Sequence, residues 1–141
     1  MKPEFAKFIE QSKIVLARAD VMLGVGLNED AARAAYLACF HAAQAYIFER
    51  TNKPSKSHSG VQTEFFRLSK EYLRVDTELR KFLSRSYEYK SIADYFSGSD
   101  PMTSPEDAEM AVATAKRFVT HFSTLVQVPN HAPTENPKAF L

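Results

Sequence analysis

The run Asn28-Glu-Asp-Ala-Ala-Arg-Ala-Ala-Tyr-Leu-Ala-Cys-Phe-His-Ala-Ala-Gln-Ala-Tyr-Ile47 decides the fold. Ala32, Ala35, Tyr36, Cys39, Phe40, Ala43, Tyr46 and Ile47 recur at three- and four-residue spacing and form one helical stripe. Ala31, Ala34, Ala38, Ala42 and Ala45 flank that stripe, and alanine has the highest intrinsic helix propensity. Asn28 is placed to cap the helix, and Glu29 and Asp30 complement the positive end of its dipole. So much alanine leaves little side-chain bulk. Neighbouring helices can approach closely, and the run reads as the central helix of the domain.

On the N-terminal side, Phe5, Phe8, Ile9, Ser12, Val15, Leu16, Ala19 and Leu23 make the stripe of a helix over residues 3–24, ended by Gly24 and Gly26. On the C-terminal side, residues 51–60 are a loop by composition, followed by a short helix with Val61, Phe65, Leu68 and Tyr72 on one side. Asp76 or Thr77 caps a fourth helix whose stripe is Leu79, Phe82, Leu83, Ser86, Tyr89 or Lys90, Ala93 and Phe96. A second loop, Ser97 to Pro101, leads to Ser104-Pro-Glu-Asp107, a cap followed by proline at the first helical position and a capping-box acid. The last stripe is Ala108, Ala111, Val112, Ala115, Phe118, Val119, Phe122 and Leu125. No segment alternates as a strand would. The expectation is an all-α, antiparallel up-and-down four-helix bundle with an additional short helix over residues 1–126, and an extended or disordered tail over 127–141 that holds Pro129, Pro133 and Pro137.

Composition narrows the function classes. The chain has 141 residues, 45% of them hydrophobic and 25% charged, which suits one soluble domain with a core of ordinary size. No apolar run approaches the ~20 residues needed to cross a bilayer, the N-terminus has no signal-like apolar core, and Cys39 is the single cysteine. A cytoplasmic protein is expected. Net charge is +1, which excludes a strongly basic nucleic-acid binder, yet residues 50–90 hold ten Lys/Arg against five Asp/Glu. That locally positive middle can meet phosphate, or it can be no more than solvated helix faces.

Most chemistry is excluded by spacing. His41, His58, His121 and His131 form no helical ligand pair and there is no Cys-x-x-Cys, so no metal is expected. Four glycines with no phosphate-loop pattern exclude a nucleotide cofactor site of the P-loop or dinucleotide type, and no cofactor is expected. His41 reads as a hydrogen-bonded core or interface residue. His58 lies in a polar loop with Ser55, Lys56, Ser57 and Ser59. Lys56, His58 and the backbone N–H groups of the following helix can hold a phosphate there, or the serines simply cap the helix. Near the end of the fourth helix, Lys90 and Asp94 are either an ordinary i, i+4 pair or, with Tyr95, a grip for phosphate and base.

Ala34-Ala-Tyr-Leu-Ala-Cys-Phe-His-Ala-Ala43 resembles the second helix of HEPN domains, closest to the small stand-alone prokaryotic branch. Ser55-Lys-Ser-His-Ser-Gly-Val61 resembles that branch's Lys-x-His-x-Gly turn; Arg85 to Tyr95, ending Ala93-Asp94-Tyr95, resembles its fourth helix; Ser104 to Phe122 resembles its last. The resemblance implies a dimeric helical bundle, many members being toxins of toxin–antitoxin pairs whose antitoxin is a nucleotidyltransferase. Active members resemble metal-independent ribonucleases, with an Arg and a His four to six intervening residues later: the imidazole moves protons and the guanidinium steadies charge on phosphate. Here Lys90 stands where that Arg would be and Tyr95 where the His would be, and Arg85 finds no His in range. Lys cannot fork to two oxygens, and a phenol is a poor proton shuttle at neutral pH. The resemblance therefore implies a nucleotide- or RNA-binding protein with a degenerate ribonuclease motif, its binding residues drawn from Lys56, His58, Arg85, Lys90, Asp94 and Tyr95. Two alternatives stand beside it. One is an active endoribonuclease using Lys90, Tyr95 and His58 as a variant set. The other is a non-catalytic helical interaction subunit.

Overall fold

A computed structural model describes residues 2–70, 76–95 and 103–125. They form five helices: α1 (Pro3–Gly24), α2 (Asn28–Thr51), α3 (His58–Lys70), α4 (Thr77–Asp94) and α5 (Pro105–Leu125). There is no strand among the described residues. The loop expected from Ser97 to Pro101, the tail over 127–141, and the stripe members Tyr72 and Phe96 lie outside the described residues.

The bundle is built around α2, which packs against all four other helices. Ala31, Ala32, Ala35, Ala38, Ala42, Ala43 and Ala45 are wholly buried, so the alanine surround is an all-round packing surface. Ser12 of α1 comes close enough to donate its hydroxyl to the Ala38 carbonyl at 2.7 Å, which only small residues on the facing helix permit. Lys2 donates to the Glu49 carbonyl at 3.0 Å, so the start of α1 lies at the end of α2 and the two are antiparallel. Contacts of Arg33 with Asp94 and of Tyr36 with Tyr87 set α4 antiparallel to α2. Asp20 pairs with Lys116 while Phe5 and Ile9 share a groove with Ser123, and Glu78 pairs with Arg117 while Tyr89 lies in the field of Asp107, which sets α5 antiparallel to both α1 and α4. The four long helices thus alternate, as the stripe pattern predicts. A cluster of Tyr46, Phe65, Phe118 and Phe122, with ring centroids 4.7–5.9 Å apart, closes the core between α2, α3 and α5.

Helix ends follow local chemistry with one exception. Ser104 accepts the Asp107 N–H at 3.0 Å and Asp76 accepts the Glu78 N–H at 2.7 Å, as their sequences predict. Asn28 does not cap α2: it is the first helical residue, and Leu27 holds the cap position without a side-chain bond. The tight α1–α2 turn is the reason. Gly26 adopts a positive φ of 83°, the Leu27 N–H closes on the Met22 carbonyl at 2.9 Å, and the Leu27 carbonyl already accepts from Ala31, one residue early for an Asn28 cap.

The α2–α3 connection positions the site. Instead of turning at the end of α2, residues 52–57 run back along it, and the Gln44 side chain donates to the Ser55 carbonyl at 2.9 Å. α3 therefore begins beside Tyr36 and Phe40, near the middle of α2, and runs in the same direction as α2. Its first residue is His58.

Candidate functional site

Ser57 caps α3, its hydroxyl accepting the Gly60 N–H at 3.0 Å, and an added Cβ on Gly60 would meet that hydroxyl at 2.7 Å. The serine cap takes one of the backbone N–H groups that a phosphate could use. Lys56 is exposed. The His58 ring turns inward, with ring centroids 4.5 Å from Phe40, 5.7 Å from Tyr36 and 5.4 Å from Tyr87.

His58 Nδ1 lies 2.7 Å from the Tyr36 hydroxyl. Tyr36 is wholly buried, and burial pushes its phenol up to about 12, so it stays protonated. A hydrogen bond from the Gln62 side chain acts in the opposite direction, as a donor to the phenol oxygen does. The Tyr36 O–H can donate to an unprotonated Nδ1, which leaves the ring proton of neutral His58 on Nε2; in the other tautomer Nδ1–H donates to the phenol oxygen and Nε2 keeps its lone pair. Burial, helped by the nearby Lys90, lowers the pKa of His58 below the ordinary histidine value; Asp94 opposes the shift, while His41 and Arg33 add to it. The result is a neutral imidazole engaged by Tyr36 at Nδ1.

Beside it lies a three-residue ion cluster. The Asp94 carboxylate receives Lys90 Nζ on one oxygen at 2.6 Å and Arg33 Nε on the other at 2.6 Å. The hydrogen bond from Lys90 holds the Asp94 carboxyl below the usual carboxylate range, and Arg33 adds to that. Arg33 comes from α2, Lys90 and Asp94 from the end of α4, and His58 from the start of α3. His41, half-buried on α2, completes the polar edge. Its Nδ1 lies 2.8 Å from Gln44 Oε1, and burial lowers its pKa.

Of the residues singled out in the sequence, Lys90 and Asp94 pair directly, and His58 lies near enough for both to act on its charge. Tyr95 does not join them: it follows the last residue of α4, is 83% exposed, and makes no hydrogen bond or ring contact with the cluster among the described residues. Arg85 is exposed next to the buried Ser86, five residues and therefore about 140° around the helix from Lys90. Lys56 likewise stays apart. Sequence reasoning missed Arg33, Tyr36 as the partner of His58, and Gln62. Arg33 carried a signal, being the only formal charge between Asp30 and Glu49 in an otherwise alanine and aromatic helix. No group of three metal-ligating side chains occurs among the described residues, and no described helix is long and apolar enough to cross a membrane.

A five-helix bundle with a cationic, imidazole-bearing edge on α2, α3 and α4 defines a class of small helical domain. The HEPN domain model matches residues 5–124, and the chain belongs to that family. It is similar to a protein of Methanocaldococcus jannaschii named "Putative toxin MJ0142", at 28% identity over 97 residues, covering 67% of this chain and 63% of that protein. The chain thus spans less than two thirds of that relative's length. Among solved structures it is similar to TT1696 from Thermus thermophilus, with a TM-score of 0.71 and 19% identity, covering 86% of this chain and 98% of the other. At that identity the likeness concerns the fold.

Proposed function

We propose that this HEPN protein acts in a toxin–antitoxin-type system and binds the phosphates of RNA or a nucleotide at the edge formed by Arg33, Lys90 and His58. The observation that carries the reading is the convergence of two cations and one imidazole from three different helices on a surface only half-buried. Two cations answer phosphate charge, and His58, in the tautomer that takes the Tyr36 O–H at Nδ1, supplies a neutral Nε2–H donor. The similarity to a protein named as a toxin supports the setting. A homodimer and a nucleotidyltransferase partner belong to the same reading, on the family resemblance.

Binding is favoured over cleavage by the state of the imidazole. A general base at Nε2 needs a free lone pair there, and in the tautomer that takes the Tyr36 O–H at Nδ1 that nitrogen carries the proton. The exposed Tyr95 supplies no substitute. The test is fluorescence anisotropy with a labelled single-stranded oligoribonucleotide at low salt and in EDTA. Wild type is expected to bind without shortening the RNA, and the Arg33→Gln/Lys90→Gln protein to lose roughly tenfold or more in affinity. Unchanged binding by the double variant would place the site elsewhere. Cleavage in EDTA that His58→Ala abolishes would make the protein a ribonuclease instead.

A further inference from the structure

We propose that the Asp94 carboxylate stands in for a phosphate between Arg33 and Lys90, and that an RNA phosphodiester binds by displacing it. This inference rests on the phosphate-binding reading above and adds how that site is regulated. Asp94 presents two oxygens on one centre, and each takes a different cation, one from α2 and one from α4, both at 2.6 Å. A phosphodiester offers the same arrangement in its two non-bridging oxygens. The cations that a phosphate needs are therefore already oriented, but on an internal anion.

Two features make the carboxylate displaceable. Asp94 is exposed and forms the last residue of α4, so its side chain can swing out without disturbing the core. It also sits where helical carbonyls leave partial negative charge, a place that disfavours an anion. The helix end gains nothing from Asp94, and exposed ion pairs are weak. An entering phosphate frees the carboxylate to solvent and brings a second anionic oxygen pair near the His58 imidazole.

The inference predicts the opposite of what a ligand-contacting role for Asp94 would give. Removing the carboxylate should tighten RNA binding. Anisotropy with a fluorescein-labelled oligouridylate at low salt is measured for wild type, Asp94→Asn and Asp94→Ser, with melting temperatures confirming the fold. Asp20→Asn is the control. It removes the same charge and breaks another exposed ion pair, with Lys116 at 2.9 Å between α1 and α5. Both Asp94 variants are expected to bind roughly three- to tenfold tighter, and Asp20→Asn to bind as wild type. Equal tightening by Asp20→Asn, or no tightening in either Asp94 variant, overturns displacement. If wild type binds and the Arg33→Gln/Lys90→Gln protein loses binding while Asp94→Asn is unchanged, the phosphate site stands and only displacement falls. If neither wild type nor Asp94→Asn binds, both fall.

Discussion

Tyr36 illustrates how one residue takes a role that its position in a stripe does not announce. In the sequence it is an apolar-face aromatic; in the fold its ring is core, with no exposure, and its hydroxyl hydrogen-bonds Nδ1 of a neighbouring imidazole at 2.7 Å. The consequence is measurable as pH dependence. His41 and His58 both have folded-state pKa values below the ordinary 6.5, each chiefly because of burial. Between those lowered values and about 6.5 the unfolded chain binds more protons than the folded one, so stability rises with pH in that window. Their contribution is complete above about pH 6.5 and is lost as pH falls through the window. Urea unfolding midpoints are therefore expected to drop between about pH 7 and pH 5, and to drop less in a His41→Asn/His58→Asn protein. A flat wild-type profile would contradict the buried, neutral state of both rings. Asp94, held low by Lys90 and then Arg33, matters only in more acid solution.

At the scale of the element, α2 shows what small residues do for a bundle. A helix buried on nearly every side normally carries bulk; here alanine lets α1 come close enough for a side chain to bond the α2 backbone. Close packing leaves no room for larger groups. Ala42→Leu, at a position with no exposure, is expected to cost about 1–3 kcal/mol in chemical denaturation. Ala113→Leu, on the exposed side of α5, is expected to stay within about 0.5 kcal/mol. Equal effects would mean that the alanine surround is not a packing constraint. The short helix α3 teaches the reverse lesson. The sequence put its start after Gly60, whereas it begins at His58, because the Ser57 hydroxyl caps the Gly60 N–H; where that start lies against α2 depends on how the preceding loop runs, and no local signal records that path.

For the whole molecule, the decisive fact is that every helix leans on α2. No subset of helices has a core of its own, so the described bundle should unfold as one cooperative unit. Far-UV ellipticity and the fluorescence of the six tyrosines, among them the buried Tyr36 and Tyr46, in a chain without tryptophan, are expected to give coincident denaturation curves; separated transitions would show that part of the bundle comes away first. Much of this architecture was open to reading beforehand. Stripe spacing placed the five helices, the alanine run named the central one, and Ser104, Pro105 and Asp107 marked a helix start, because each signal acts within a turn or two of chain. The HEPN resemblance rested on the same local runs. The site was only half legible. Lys90 and Asp94 are one turn apart on a helix, so their pairing is written in the sequence; Arg33 reaches Asp94 across 61 residues and His58 reaches Tyr36 across 22. Helical periodicity tells which residues share a face of one helix, whereas contacts between helices depend on crossing geometry and on the return of residues 52–57 along α2. Those are properties of the packed bundle, and only the packing brought the imidazole to the cations.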